Sequence, residues 1–63
     1  MTKTAAITKF ANAYRAYIAP KCGNADAATA YALQDLMNLT KNQEQYAVQL
    51  ILEEAAHYER LAA

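Results

Sequence analysis

Apolar positions recur at helical spacing through most of this chain, and the longest such run is 41–62, KNQEQYAVQLILEEAAHYERLA, behind Thr40. At roughly 100° per residue, Tyr46, Leu50, Ile51, Ala55, Tyr58 and Leu61 share one arc with Ala47, Val48, Leu52 and Ala62. That arc covers about 240°, whereas a helix lying on one core needs only about 100° or a little more. The polar strip is narrow: Gln49, Glu53 and Arg60, with Ala56 beside it. A helix this apolar calls for cover on two sides, one from the rest of the chain and one from another molecule. Glu54 and His57 interrupt the apolar arc. A carboxylate there is costly unless it is paired or hydrogen-bonded. Either it sits at the rim of a packed face, or it forms a buried ion pair that fixes the register of a dimer.

Before this run the pattern predicts two more helices. The first spans residues 4–19, capped by Thr2 or Thr4 and stopped by Pro20. Its apolar side is Ala6, Ile7, Phe10, Tyr14, Tyr17 and Ile18 with Ala11; its polar side is Thr8, Lys9, Asn12 and Arg15. Residues 20–25 form a turn in which Gly23 is expected to take positive φ. The second helix spans residues 26–38, capped by Asn24 or Asp26. Its buried face is Thr29, Ala30, Leu33, Leu36 and Met37, together with Ala32 and Leu39, while Tyr31 looks outward as a contact residue. At the junction, 39–45, Thr40 and Gln43 match a capping box. This favours a break at Thr40 over one helix running from 26 to 62. The expected fold is all-α: a three-helix unit or helical hairpin in one domain, 1–63, assembling as a helical-bundle homodimer.

Length strengthens the oligomer expectation. A chain of 63 residues supplies only about 3–5 kcal/mol from its core unless something else staples it. Cys22 is the single cysteine, so no internal disulfide can form, and an unpaired thiol suits a reducing cytosol. Lys9 and Asn12 interrupt the early apolar residues before the core of a signal peptide forms. No apolar run approaches a membrane span, so the expected location is cytoplasmic, with no membrane partner. Net charge is zero, which argues against non-specific nucleic-acid binding. Residues 1–25 nevertheless hold four cations and no acid, so the basic first helix is expected near the acidic third.

Two motifs compete with this picture. Residues 33–45, LQDLMNLTKNQEQ, resemble a helix-turn-helix in which Thr40 opens a recognition helix. Asn38 stands where glycine is usual, and Glu44 where an aliphatic residue is buried. No cation lies between Lys41 and Arg60, although phosphate contacts supply most DNA affinity; nucleic acid is therefore an unfavoured partner. Glu54 and His57 form E-x-x-H, half of the di-iron carboxylate pattern that a homodimer would double. The remaining glutamates of such a site are missing from the first two helices, so no metal, cofactor or catalytic residue is assigned. With one histidine, one cysteine and no serine, nucleophilic chemistry has little to work with.

Interaction is the remaining reading. Five tyrosines supply amphipathic contact area of the kind enriched in interface cores. The candidate interface is Tyr46, Leu50, Ile51, Glu54, Tyr58 and Leu61, joined by Phe10 and Tyr14 from the first helix. In size, cytosolic character and compact helical pattern the chain resembles the small accessory proteins of temperate lambdoid phages, such as those of the exo–xis region. That resemblance implies an early phage protein that alters host physiology or the lysis–lysogeny choice by contacting a host or phage protein. The expected function is a non-enzymatic, self-associating interaction or regulatory module.

Overall fold

The computed structural model describes residues 1–63 as three α-helices: α1 Lys3–Ile18, α2 Ala25–Thr40 and α3 Ala47–Ala62, with one 3-10 turn, Glu44–Tyr46, before α3. No helix is long and apolar enough to cross a membrane. The helices run up, down and up, so α1 and α3 are parallel. Lys3 at the start of α1 lies 3.9 Å from Glu44 before α3, and Tyr17 near the end of α1 meets Tyr58 near the end of α3.

The closest packing joins α1 to α3, and small side chains make it possible. Ala6, Phe10 and Ala13 of α1 interlock with Ile51 and Ala55 of α3, and Leu36 of α2 closes the cluster. Alanines flank the bulky Phe10 and Ile51 on each helix, so the backbones approach while the large residues fill the space between. Ile51 is 0% exposed and is the largest fully buried apolar side chain. By contrast, α2 makes few contacts with α3.

Local chemistry sets the helix ends, and several differ from the sequence expectation. Thr2, not Thr4, caps α1, its hydroxyl accepting from the Ala5 amide at 3.1 Å. The helix therefore begins one residue before the expected 4–19 and ends one residue earlier, at Ile18. Asn24 caps α2 through the Ala27 amide at 3.2 Å, leaving Asp26 in the first turn, where a carboxylate favours the helix dipole.

At its other end α2 continues past 38 to Thr40. The capping box does not form: Thr40 closes α2, and its hydroxyl donates to the Leu36 carbonyl at 2.9 Å. The chain reverses through residues 41–43, with the Gln43 amide on the Thr40 carbonyl, and α3 begins at Ala47 rather than 41. A single helix from 26 to 62 is thereby excluded. Gly23 also departs from expectation, because no glycine has positive φ.

The buried stripe of α2 is rotated from the expected face. Thr29, Leu36 and Thr40 are buried and Leu33 half-buried, whereas Ala30 and Leu39 are exposed. The reason is that both threonines satisfy their hydroxyls on their own helix, Thr29 on the Ala25 carbonyl at 2.7 Å and Thr40 on Leu36. A threonine bonded in this way presents a methyl group inward and packs as an apolar residue. The stripe then follows 29, 33, 36 and 40. Leu39 falls roughly 90° around the wheel from its middle, at roughly 100° per residue.

Candidate functional site: the groove between α2 and α3

Because α2 stands away from α3, a groove opens between them. It consists of two concavities of about 450 and 460 Å3 that meet at Leu36, Leu39 and Glu54. One end holds Leu50, Glu53 and His57 of α3 against Thr40 of α2. The other holds Tyr31 and Asp35 of α2 across from Tyr58, with Phe10 and Tyr14 contributed by α1. Leu39 is 74% exposed and Tyr31 75%, so two large apolar bodies stand on the α2 wall with no intramolecular cover.

An aromatic cluster closes the Tyr58 end. The Tyr58 ring lies 4.8 Å from Tyr14, 5.1 Å from Tyr17 and 5.9 Å from Phe10, centroid to centroid. Lys21 sits 4.5 Å over Tyr17 and extends the cluster as a cation–π contact. Burial raises the Tyr58 phenol above its usual range, and the neighbouring Glu54 charge adds to the effect, followed by Tyr14 and Tyr17. Each of these disfavours a negative charge on the phenol oxygen.

The remaining charges are sorted by position. Lys3 meets Glu44 at 3.9 Å, Lys9 meets Glu59 at 4.0 Å and Arg15 meets Asp26 at 3.0 Å. The three cations of α1 are thus each committed to an acid. The other three acids of the chain, Asp35, Glu53 and Glu54, have no cation within ion-pair distance, and all three line the groove. Glu53 accepts only from Gln49, at 3.4 Å.

The candidate interface residues divide into three groups. Ile51, 0% exposed, and Phe10, 2% exposed, belong to the intramolecular core; they support the site from beneath and leave almost no surface for a partner. Tyr14, Leu50, Glu54 and Tyr58 line the groove. Tyr46 and Leu61 are half-exposed near the two ends of α3. Leu39, expected inside together with Ala30, is the groove residue that sequence reasoning misplaced. The 29, 33, 36, 40 spacing was the signal that would have found it, had Thr40 been placed on the buried stripe beside Thr29 instead of read as a cap.

The helix-turn-helix motif does not gain structure. The recognition helix expected to open at Thr40 does not exist, since Thr40 ends α2 and Glu44 lies in the exposed turn before α3. Glu54 and His57 both line the groove, yet no group of three or more His, Cys, Asp or Glu side chains is arranged to hold a metal ion. Comparison with protein-family models, with curated proteins and with solved structures finds no match to this chain.

Proposed function

We propose that this chain is a non-enzymatic protein-interaction module and that the groove between α2 and α3 is its docking surface. The observation that carries this reading is Leu39, a leucine 74% exposed on the wall of an apolar-floored groove. Burying such a side chain against a partner contributes about 1.5–3 kcal/mol. Contiguous apolar surface of this kind marks interaction sites in small proteins. A cytoplasmic regulatory role, reached by contacting a host or phage protein, agrees with the chain's likeness in size and pattern to phage accessory proteins.

Self-association is a second reading, favoured by the half-exposed Tyr46 and Leu61 on α3. DNA binding is disfavoured, because net charge is zero and the groove walls carry the unpaired carboxylates of Asp35, Glu53 and Glu54, whereas phosphate contacts with cations supply most DNA affinity.

The test is a high-salt pull-down from nuclease-treated lysate with the parent chain and with Leu39→Lys, alongside sedimentation equilibrium of both and of Leu61→Lys. The expected result is a retained protein lost with Leu39→Lys while the helical circular dichroism is unchanged. A parent dimer broken by Leu61→Lys supports self-association. Identical retention by parent and Leu39→Lys sinks the groove as the docking surface.

A further inference from the structure

Six acids are present in the chain, and the helices divide them into two equal sets. Asp26, Glu44 and Glu59 are neutralised by α1. Asp35 on the α2 wall and Glu53 and Glu54 on the α3 wall are left without cations, in the same groove that exposes Leu39 and Tyr31. The chain has cations to spare in Lys21, Lys41 and Arg60, and none lies within ion-pair distance of an acid. The groove is therefore apolar along its floor and negative on both sides. His57 is the one basic side chain among its lining residues.

We propose that the groove binds an amphipathic helical segment of another protein, apolar along one face and carrying lysine or arginine on both flanks of that face. This inference rests on the interaction-module reading above. Shape supports a helix: the α2 wall from Ala28 to Thr40 extends about 18 Å at about 1.5 Å per residue, matching about three helical turns. Apolar residues at i, i+3, i+4 and i+7 would meet Leu39, Leu36 and Leu50, the usual anchor pattern of a helix laid in a groove. Flanking cations would then face Asp35 on one side and Glu53 and Glu54 on the other. Charge argues against a second copy in the same place. Two grooves set face to face would oppose three unpaired carboxylates with three more, a juxtaposition that disfavours pairing.

The experiment uses the full chain and two synthetic peptides of about 18 residues. Both carry one leucine stripe at the anchor spacing; one has lysine on the flanks and the other glutamate. Binding is read by fluorescence anisotropy at low and physiological salt. The lysine peptide is expected to bind at least about tenfold more tightly than the glutamate peptide. The triple variant Asp35→Asn, Glu53→Gln, Glu54→Gln is expected to erase that preference, since partly exposed pairs contribute modestly one by one but sum to about tenfold. Leu39→Ser is expected to weaken the lysine peptide about tenfold. The side chain is exposed, so circular dichroism should confirm an intact fold.

Equal binding of the two peptides by the parent overturns the basic partner, and so does a lysine preference that survives the triple variant. Lysine-peptide binding indifferent to Leu39→Ser places the contact outside the groove and also overturns it. Two outcomes separate this inference from the reading beneath it. Preference for the glutamate peptide, or no peptide binding with a dimer broken by Leu39→Ser, defeats the basic partner and leaves the module standing. No peptide binding, no dimer and no protein retained in the pull-down defeats both.

Discussion

The rings of Tyr14 on α1 and Tyr58 on α3 meet edge to face, 4.8 Å between centroids at an interplanar angle of 81°. The contact ties the ends of two parallel helices beside the mouth of the groove. It places the Tyr58 hydroxyl where burial, Glu54, Tyr14 and Tyr17 all oppose its ionisation. The folded-state pKa of Tyr58 thus lies above the unfolded value of about 10. A group shifted upward holds its proton more tightly in the folded state. Its contribution to stability is complete below the unfolded value and is lost as pH rises through the folded one. The melting temperature of the parent should therefore fall as pH rises above about 10. Tyr58→Phe should lose less stability across that interval; an equal loss in both proteins would show that Tyr58 is not the titrating group.

Ile51 and Leu50 are neighbours on α3 with different surroundings, and truncation should separate them. Ile51 is fully enclosed by the α1–α3 core. Ile51→Ala removes its packing and leaves a cavity, for a loss of about 2–5 kcal/mol. A core of this size supplies about 3–5 kcal/mol in all, so the variant should be largely unfolded in urea titrations where the parent is folded. Leu50 is half-buried along the groove, and part of its surface is already hydrated. Leu50→Ala should cost less than about 2 kcal/mol. A larger loss at Leu50 than at Ile51 would mean that the core has been placed on the wrong face of α3.

Thr40 shows where the sequence was legible and where it was not. The start of α1 is readable because Thr2 and Thr4 stand before an apolar stripe, and its end because Pro20 lacks an amide and constrains Ala19. The α3 stripe is readable because Ile51 and Ala55 recur at helical spacing with strongly apolar side chains. Thr40 is ambiguous for a chemical reason: its hydroxyl can accept from an amide ahead of it, as an N-cap, or donate to a carbonyl behind it, within a helix. Spacing to Gln43 suggested the first, and the fold takes the second. Leu39, one residue before Thr40, falls outside the buried stripe and stands on the groove wall, so the site was harder to read than the fold around it. Thr40→Val distinguishes the two roles. As an N-cap, Thr40 would contribute about 0.5–2 kcal/mol. As a buried, back-bonded residue, it should be replaced by valine within about 0.5 kcal/mol. The Leu36 carbonyl keeps its place in the helical ladder, and valine fills the same volume. Equilibrium denaturation of the variant decides between them.

Gly23 gives the opposite kind of test, because the turn does not use the freedom that glycine offers. Its φ is not positive, and a Cβ added there meets no atom within 4 Å. Glycine at this position therefore only enlarges the conformational freedom of the unfolded chain. Gly23→Ala should raise stability by about 0.4–1 kcal/mol through the unfolded state, without changing any native contact. The Asn24 cap and the Arg15–Asp26 ion pair on either side of the turn provide the control. If alanine forced the turn to move, both would be disturbed, and the variant would lose stability instead. A fall in denaturation midpoint for Gly23→Ala would thus show that the turn needs a backbone conformation closed to alanine, and that α1 and α2 meet differently from the arrangement described.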